Sequence, residues 1–274
     1  SRGLGDVYKR QIKEFLPIIR LLIQGIICFF FLVYFKINIT DVRIDSFNII
    51  LDHSLVSYLF TLFCILVLMN GSNFIDGVNL LSIGYFLLVL ISIILISDNY
   101  NLSSNLVLVK NLLVILTFLF LMNLFNQIFL GDSGIYLLSF IIGIILIKFH
   151  NDNELVSPYY IISLLWYPCF ENLFSIIRKK KKKVNPQTAD NLHIHHLLYK
   201  KFSKIKSVNI RNNLTGFTIL VFNIPIFLLS SYNYNQTKSL IIIIFLSAIM
   251  YLISYNYLKK TINSLKKNIY ANRT

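Results

Sequence analysis

Long apolar runs separated by short polar segments recur along almost the whole chain, and they constrain its fold more than any other feature. A helix needs about 20 mostly apolar residues to cross the hydrocarbon core of a bilayer. Runs that approach this length occupy residues 16–35, 55–69, 80–96, 106–122, 135–147, 159–177, 214–229 and 240–258. We therefore predict an all-α fold, a polytopic transmembrane helix bundle with about eight spans.

The composition supports a single membrane domain without a separate soluble lobe. Hydrophobic residues make up 56% of the 274-residue chain and charged residues 14%, which is more apolar than a soluble domain. Residues 1–11 do not begin with Met and differ in composition from the Ile-, Leu-, Asn- and Lys-rich sequence that follows. We expect them to be a non-native scar, followed by a transmembrane domain at 12–258 and a basic cytoplasmic tail at 259–274.

The formal net charge is +14, and the positions of the basic residues predict which side of the membrane each loop faces. If the spans alternate in direction, one side holds the lysine run at 179–183, the rest of the 178–213 loop and the tail. The opposite side holds only Lys36, Arg43, Lys148 and Lys238. Basic loops stay in the cytoplasm, so we expect the first side to be cytoplasmic. This distribution favours the lipid bilayer, and not nucleic acid, as the partner of the basic residues.

Residues 37–52 lie between the first two runs, on the predicted external side. Apolar and polar residues partly alternate along this segment, which is the period of a half-buried strand. We therefore predict a short external β-hairpin here.

The polar segment between the second and third runs reads Asn70-Gly-Ser-Asn73-Phe-Ile-Asp76-Gly77-Val-Asn79. Polar and ionisable side chains at membrane depth are costly and usually face a cavity, so Asp76 and these asparagines are candidates for function. The alternative is an ordinary turn, because the same residue types end one helix and cap the next. This segment alone leaves both interpretations open.

A second polar segment, residues 123–134, follows the fourth run and contains Gly131-Asp132-Ser133-Gly134. Alone, it would be a tight turn with an Asp cap. Alternation of the spans, however, places Asp132 on the same side of the membrane as Asp76. Two carboxylates at the mouth of a helix bundle could share a hard cation such as Mg²⁺, which takes oxygen ligands.

The third polar segment is the longest, and it carries Asp190 followed by His193, His195 and His196. No Cys accompanies these histidines, and their spacing matches no common zinc pattern. A cluster beside Lys and Arg favours phosphate over metal as the ligand. The alternative is an interfacial amphipathic helix that turns its leucines and isoleucine to lipid, and the two interpretations are compatible.

Together, Asn73-x-x-Asp76-Gly77-x-Asn79, Phe129-Leu-Gly131-Asp132-x-Gly134 and Asp190-x-x-His193-x-His195-His196 resemble one family, the polyprenyl-phosphate N-acetylhexosamine-1-phosphate transferases. The resemblance covers residues 12–258. It implies a bacterial inner-membrane enzyme that transfers a sugar-1-phosphate from a UDP-N-acetylhexosamine to undecaprenyl phosphate and releases UMP. It also implies that Mg²⁺, or Mn²⁺ in its place, is required, that the active-site loops are cytoplasmic, and that the enzyme forms a homodimer.

The resemblance also implies roles for individual residues. Asp132 corresponds to the Mg²⁺ ligand and Asp76 to the Asp of the catalytic motif. The expected substrate-binding residues are Asn73, Asn79, His193, His195 and His196. The interrupted histidine motif is similar to the subgroup that starts O-antigen, capsule, teichoic-acid or enterobacterial-antigen chains. The phospho-N-acetylmuramoyl-pentapeptide transferase of peptidoglycan synthesis, which has an uninterrupted run, is the alternative.

The chain departs from the family pattern in three ways. An Asp-Asp pair expected near Arg10 and Gln11 is absent, and Leu80 stands where the family usually has Gly. As a third departure, the resemblance implies that two or three N-terminal spans are missing. We therefore expect the chain to be a fragment that is inactive alone. Glu171, at the end of the sixth run, is either a further site residue or a cap or partner of Arg178.

Two other classes of protein remain to be compared with the transferase. A transporter or flippase could use Asp76, Asp132 and the histidines as a proton relay, although such relays normally lie in the middle of a span. If the chain is a scaffold membrane protein, Asp132→Ala should leave lipid-linked sugar synthesis unchanged.

Overall fold

The computed structural model describes residues 17–100, 102, 106–183 and 192–271, and within these ranges every regular element is helical. The helices are α1 (Pro17–Tyr34), α2 (Asp45–Leu51), α3 (Ser54–Ile75), α4 (Leu81–Tyr100), α5 (Leu106–Leu124), α6 (Gly131–Asn151), α7 (Pro158–Leu164), α8 (Trp166–Lys181), α9 (Ile194–Lys201), α10 (Val208–Tyr232) and α11 (Thr237–Ala271). A 3₁₀ turn, Phe202–Lys204, follows α9. The all-α class is confirmed.

Six of the described helices are long and apolar enough to cross a membrane: α3, α4, α5, α6, α10 and α11. The pair α7 and α8 passes the same test if it is counted as one span broken by a 72° bend. Helix α1 carries the first apolar run but is slightly shorter. Each of the eight predicted runs is thus helical, and the chain is a multi-pass membrane protein.

The break between α7 and α8 lies at Leu165, three residues before Pro168. Proline lacks a backbone N–H and its ring clashes with the carbonyl of the preceding turn, so it is accommodated in the first turn of a helix but not in the interior. Pro168 occupies that first turn of α8, which allows the sixth apolar run to form two helices instead of one.

The predicted β-hairpin at 37–52 is wrong: residues 45–51 form α2, and no strand occurs in this described segment. The backbone donors that would form a ladder instead bind side chains. Ile39 N donates to Thr61 Oγ1 at 2.8 Å, and Val42 N donates to Asn48 Oδ1 at 3.0 Å. These bonds hold the segment against α3 without a second strand, since buried backbone groups need only one partner.

The two ends of the bundle differ in chemistry. At one end, which we call the far end, the Arg43 guanidinium donates to the backbone oxygens of Glu154, Leu155 and Asn235 and to the hydroxyl of Thr237. Arg43 thus links its own segment to the connection between α6 and α7 and to the connection between α10 and α11. The opposite end, which we call the polar end, is where the three polar segments meet.

Helix α4 forms the centre of the main hydrophobic core. Tyr85, Phe86, Val89 and Leu90 are fully buried, and α4 packs against α5 and α10. By contrast, outward-facing side chains of the surrounding helices are large, apolar and exposed, as expected for a surface in contact with lipid tails. Because α4 begins at Leu81, the preceding polar segment is anchored directly to the best-packed part of the molecule.

Candidate functional site

The site begins where α3 ends. Asp76 follows the last residue of α3, and the hydroxyl of Ser82, the second residue of α4, donates a hydrogen bond to its carboxylate. Burial raises the pKa of Asp76 to about 6, the nearby Asp132 carboxylate also raises it, and the bond from Ser82 opposes the shift. A carboxylate in this state is poorly solvated, so a cation is its favourable partner.

His195 lies directly on the Asp76–Gly77 turn. A Cβ added to Gly77 would lie 2.5 Å from His195 Nε2, so only glycine allows this approach. His195 is 1% exposed, and neither ring nitrogen has a hydrogen-bond partner within the described ranges. Burial, followed by the charges of His196 and His193, holds the pKa of His195 well below its usual value. The ring is therefore neutral and offers one N–H and one lone pair to a ligand.

Glu171 supports the histidine motif from behind. This carboxylate is fully buried; its Oε1 lies 2.7 Å from His193 Nδ1, and the Tyr251 hydroxyl donates to its other oxygen. A carboxylate only accepts, so Nδ1 of His193 carries the proton and Nε2 is left to face a ligand. His193 is further held between rings, with its centroid 5.3 Å from that of Phe74 and 5.6 Å from that of His195.

The sequence alone leaves the role of Glu171 open, and the structure pairs it with His193 and Tyr251. The signal that could have found this role is an ionisable residue within an apolar run, which is rarely retained without a partner. The partner itself was not predictable, because 22 residues separate Glu171 from His193.

Asp132 is presented to solvent at the start of α6. Gly131 has φ +64°, a conformation that favours glycine, and it turns the chain so that Asp132 falls in the first helical turn, where the helix dipole stabilises a negative charge. Arg20 of α1 donates to Asp132 Oδ2 at 3.2 Å, and the Asp132 side chain is 67% exposed. The charge of Asp132 acts on Asp76, so the predicted pair of carboxylates does share one face.

These residues can be tested against the metal that the sequence led us to expect. No group of three or more His, Cys, Asp or Glu side chains suitable for a metal occurs in the described part of the chain. Mg²⁺, however, is commonly bound through one or two carboxylates, with water and substrate phosphates completing its coordination. Asp76 and Asp132 fit that requirement.

Asn79 is buried, and it joins its own segment to the loop after α5 and to the first turns of α10. Its amide nitrogen donates to the Oδ1 atoms of Asn126 (2.5 Å) and Asn213 (2.9 Å), and its Oδ1 accepts from Asn212 at 2.9 Å. The structure thus gives Asn79 a role in holding the loops, while its contact with substrate stays a prediction. The other asparagines of this cluster were not predicted, and the signal that could have found them is the unusual number of asparagines near the ends of apolar runs.

Leu80, which replaces the usual Gly of the family pattern, has φ +69°. This left-handed conformation crowds the Cβ of any L-residue, which explains why glycine suits the position. The Leu80 backbone N–H donates to Asn123 Oδ1 at 2.6 Å, and the side chain is 3% exposed in the core. These contacts hold Leu80 in a conformation that it would not otherwise adopt.

The first two cations of the basic segment, Arg178 and Lys179, are buried. Arg178 is 8% and Lys179 5% exposed, and Lys179 Nζ lies 5.9 Å from the ring centroid of Phe74. From the sequence, the run at 179–183 indicated only which side of the membrane its loop faces. The structure places its first member next to the ring that stacks on His193.

The remaining predicted site residues also lie at the polar end. Asn73 is half-buried one turn before Asp76, and the His196 ring centroid lies 4.2 Å from that of His195. Asp190 and the position of the expected Asp-Asp pair, Arg10 and Gln11, lie outside the described residues.

Comparisons with known proteins identify relatives of this chain. Residues 6–150 match the sequence model of a family described as glycosyl transferase family 4. This match includes residues 6–11, part of the segment predicted to be non-native, and the boundary at 11 stays a prediction. No solved structure matches the chain.

Two curated proteins are similar to part of the chain. One is a probable undecaprenyl-phosphate N-acetylglucosaminyl 1-phosphate transferase of Bacillus subtilis, 32% identical over 52% of this chain and 40% of its own length. The other is an undecaprenyl-phosphate alpha-N-acetylglucosaminyl 1-phosphate transferase of Thermotoga maritima, 32% identical over 36% of this chain and 31% of its own length. The chain thus spans less than half the length of either relative.

Proposed function

Because the chain belongs to glycosyl transferase family 4, we propose that the full-length protein transfers N-acetylglucosamine-1-phosphate, or another N-acetylhexosamine-1-phosphate, from a UDP-sugar to undecaprenyl phosphate. The printed names of both relatives support this acceptor and sugar. The product would be a polyprenyl-diphosphate-sugar, the first membrane-bound intermediate of a cell-envelope polysaccharide. We place the enzyme in the bacterial inner membrane, with the polar end in the cytoplasm, where UDP-sugars and most of its basic residues would lie.

The observation that carries this proposal is the meeting of three distant polar segments at one end of an apolar bundle. Asp76, Asp132 and His195 come from three separate polar segments, yet the Asp132 carboxylate raises the pKa of Asp76 and His195 packs on Gly77. A reaction between a lipid phosphate and a water-soluble nucleotide sugar needs such a site at the level of the membrane surface. The position of these groups at span ends favours the transferase over a proton-relay transporter, whose groups line the span interior.

The proposed reaction is a phosphoryl transfer. An oxygen of the acceptor phosphate forms a bond to the phosphorus nearer the sugar, and the bond from that phosphorus to the bridging oxygen of the diphosphate breaks, so that UMP leaves with the electron pair. The attacking oxygen is already ionised at neutral pH, so no general base is needed. The protein must instead position the reactants and offset negative charge.

The described residues supply both requirements. Lys179 and Arg20 bring positive charge to the polar end, and His193, oriented by Glu171, presents Nε2 at a fixed place. His195, His196 and Asn73 are proposed to bind the diphosphate or the sugar. These contacts would stabilise the negative charge that develops in the transition state.

We propose that Mg²⁺, or Mn²⁺ in its place, is held by Asp132 with Asp76 nearby. When bound, the ion would neutralise diphosphate charge and polarise the phosphorus that is attacked. Arg20 would then have to release Asp132, and its guanidinium would be left to contact a phosphate oxygen.

Transfer of radiolabelled sugar phosphate into the lipid phase tests the proposal. Membranes that contain the full-length protein would be incubated with labelled UDP-N-acetylglucosamine, undecaprenyl phosphate and Mg²⁺. We expect label in the lipid phase, its loss on chelation, and a rate at least about 100-fold lower for Asp132→Asn. Asp52→Asn, an exposed carboxylate near the far end, is the matched control and should leave the rate unchanged.

Two outcomes would change the assignment. Label that enters the lipid phase only with UDP-N-acetylmuramoyl-pentapeptide would favour the peptidoglycan enzyme. No transfer from any UDP-N-acetyl sugar by a folded preparation would remove the transferase proposal and leave the transporter.

A further inference from the structure

A cavity lies between α8, α9, α10 and α11, away from Asp76 and Asp132. Its volume is about 210 Å³. The walls are mainly apolar, formed by Ile194, Leu198, Ile219, Phe222 and Leu258 among others. None of Asp76, Asp132 or the two helices that carry them, α3 and α6, contributes a wall. The cavity is therefore distinct from the proposed transfer site.

Two of the polar residues in the lining indicate the chemistry of a ligand. Tyr167 is 2% exposed, and its hydroxyl has no hydrogen-bond partner in the part of the chain for which side chains are described. A buried hydroxyl without a partner is costly, which indicates a ligand that accepts a hydrogen bond. The second group is Lys201, whose Nζ lies 5.0 Å from the ring centroid of Tyr257 at the same cavity.

One end of the cavity lies at the level where lipid head groups would lie. On α11 the apolar sequence ends at Leu258, a wall of the cavity, and Lys259 and Lys260 follow at once. Helix α9 likewise ends in Lys201, and Lys204 follows one turn later. Basic residues that border an apolar pocket between spans, on the side that carries the excess of positive charge, are the pattern that binds anionic lipid head groups.

We propose that this cavity holds an acyl chain of one anionic membrane phospholipid whose phosphate is bound by Lys201. A free anion would gain nothing from the apolar walls, and a neutral lipid would gain nothing from the lysines. The ester carbonyl of a phospholipid supplies the acceptor that the Tyr167 hydroxyl lacks. The polyprenyl acceptor is the weaker candidate, because its phosphate must reach the separate site at Asp76 and Asp132.

This lipid would contact the elements that support the histidine motif. Tyr251 forms part of the cavity wall and donates to the Glu171 carboxylate. Ile194, another wall residue, follows His193 and its backbone N–H donates to the same carboxylate. Occupation of the cavity therefore stabilises the arrangement that orients His193.

Binding of phosphatidylglycerol to the purified full-length protein tests this proposal without any UDP-sugar, so that its outcome is independent of the transfer reaction. The protein would be delipidated in detergent and titrated with phosphatidylglycerol, or with phosphatidylcholine of the same acyl chains, and bound lipid would be counted by native mass spectrometry. We expect one tightly held phosphatidylglycerol, and affinity about tenfold lower for phosphatidylcholine and for Lys201→Glu. Lys238→Glu, an exposed lysine of α11 at the far end, is the matched control and should bind as the wild type does.

A second variant separates loss of the site from loss of the fold. Ile219→Trp fills the cavity but keeps Lys201, and it should also lose the tightly held lipid while it elutes as a single species on gel filtration. Equal affinity for the two phospholipids, or equal binding by Lys201→Glu and Lys238→Glu, would overturn the proposal. Displacement of phosphatidylglycerol by an equimolar amount of undecaprenyl phosphate would overturn it as well, and would assign the cavity to the acceptor.

Discussion

The positive φ of Leu80 yields a prediction whose sign distinguishes strain from packing. Replacing Leu80 by Ala or by Gly removes nearly the same buried side chain, at a cost of about 3–5 kcal/mol. Ala keeps a Cβ and therefore keeps the cost of φ +69°, which is about 1–2 kcal/mol for an L-residue. Gly relieves that cost but loses about 0.4–1 kcal/mol through the greater freedom of the unfolded chain.

The order of stability of the Ala and Gly variants at Leu80 should therefore be the reverse of the order at an ordinary buried leucine. At Leu90, which is fully buried in the interior of α4, Gly should be less stable than Ala by about 1 kcal/mol. At Leu80, Gly should equal Ala or exceed it by up to about 1.5 kcal/mol, the difference between the strain relieved and the entropy lost. The Gly-minus-Ala difference should thus shift between the two sites by about 1–2.5 kcal/mol.

Unfolding in mixed micelles of detergent and SDS, followed by the circular dichroism of the helices, measures these differences. All four variants and the wild type would be compared under the same conditions. If Leu80→Gly is less stable than Leu80→Ala by the same margin as at Leu90, then Leu80 is not strained, and the explanation of the departure from the family pattern is refuted.

Three further predictions concern the site. Glu171→Gln should lower the transfer rate of the full-length protein at least about tenfold, because an amide has one acceptor oxygen and cannot accept from both His193 and Tyr251 as the carboxylate does. The exposed Glu154→Gln should leave initial rates unchanged. Asp76→Asn should be inactive yet more stable than the wild type at pH 8, by about 1–3 kcal/mol. The pKa of Asp76 is near 6 in the folded state, so the stability that its protonated form contributes below pH 4 is lost as the pH rises through 6. SDS unfolding at pH 4 and pH 8 measures the difference, and an equal gain in stability at both pH values would contradict it. Gly77→Ala should reduce kcat/KM at least about tenfold, because the new methyl group displaces the His195 ring; an unchanged value would show that this ring position is unimportant.

The helical spans were predictable because the information lies within each apolar run. A run such as 80–96 is long and uninterrupted, and a bilayer leaves its backbone only the helix as a means of pairing its polar groups. The hairpin prediction failed for the opposite reason. Alternation over 37–52 is a local signal, and it was overridden by bonds from distant side chains such as Thr61.

The site was predictable only in part, because many of its contacts join residues that are distant in the sequence. That Asp76 and Asp132 face one end of the bundle followed from the alternation of spans. The partner of Glu171 and the bonds of Asn79 did not follow, because nothing in a single sequence states which residue lies opposite another across 22 or 134 positions.

The asparagine cluster around Asn79 has a consequence for how the polar end responds to its surroundings. Amide groups carry no formal charge and do not titrate between pH 4 and 10, and their short-range bonds are barely screened by salt. Hydrogen bonds between uncharged amide groups thus hold these segments together, whereas the charged groups of the polar end, Asp76, Asp132 and the nearby cations, interact by charge. If a charged nucleotide sugar binds here as proposed, we expect its arrival and departure to disturb these neutral contacts less than they would disturb ion pairs at the same positions.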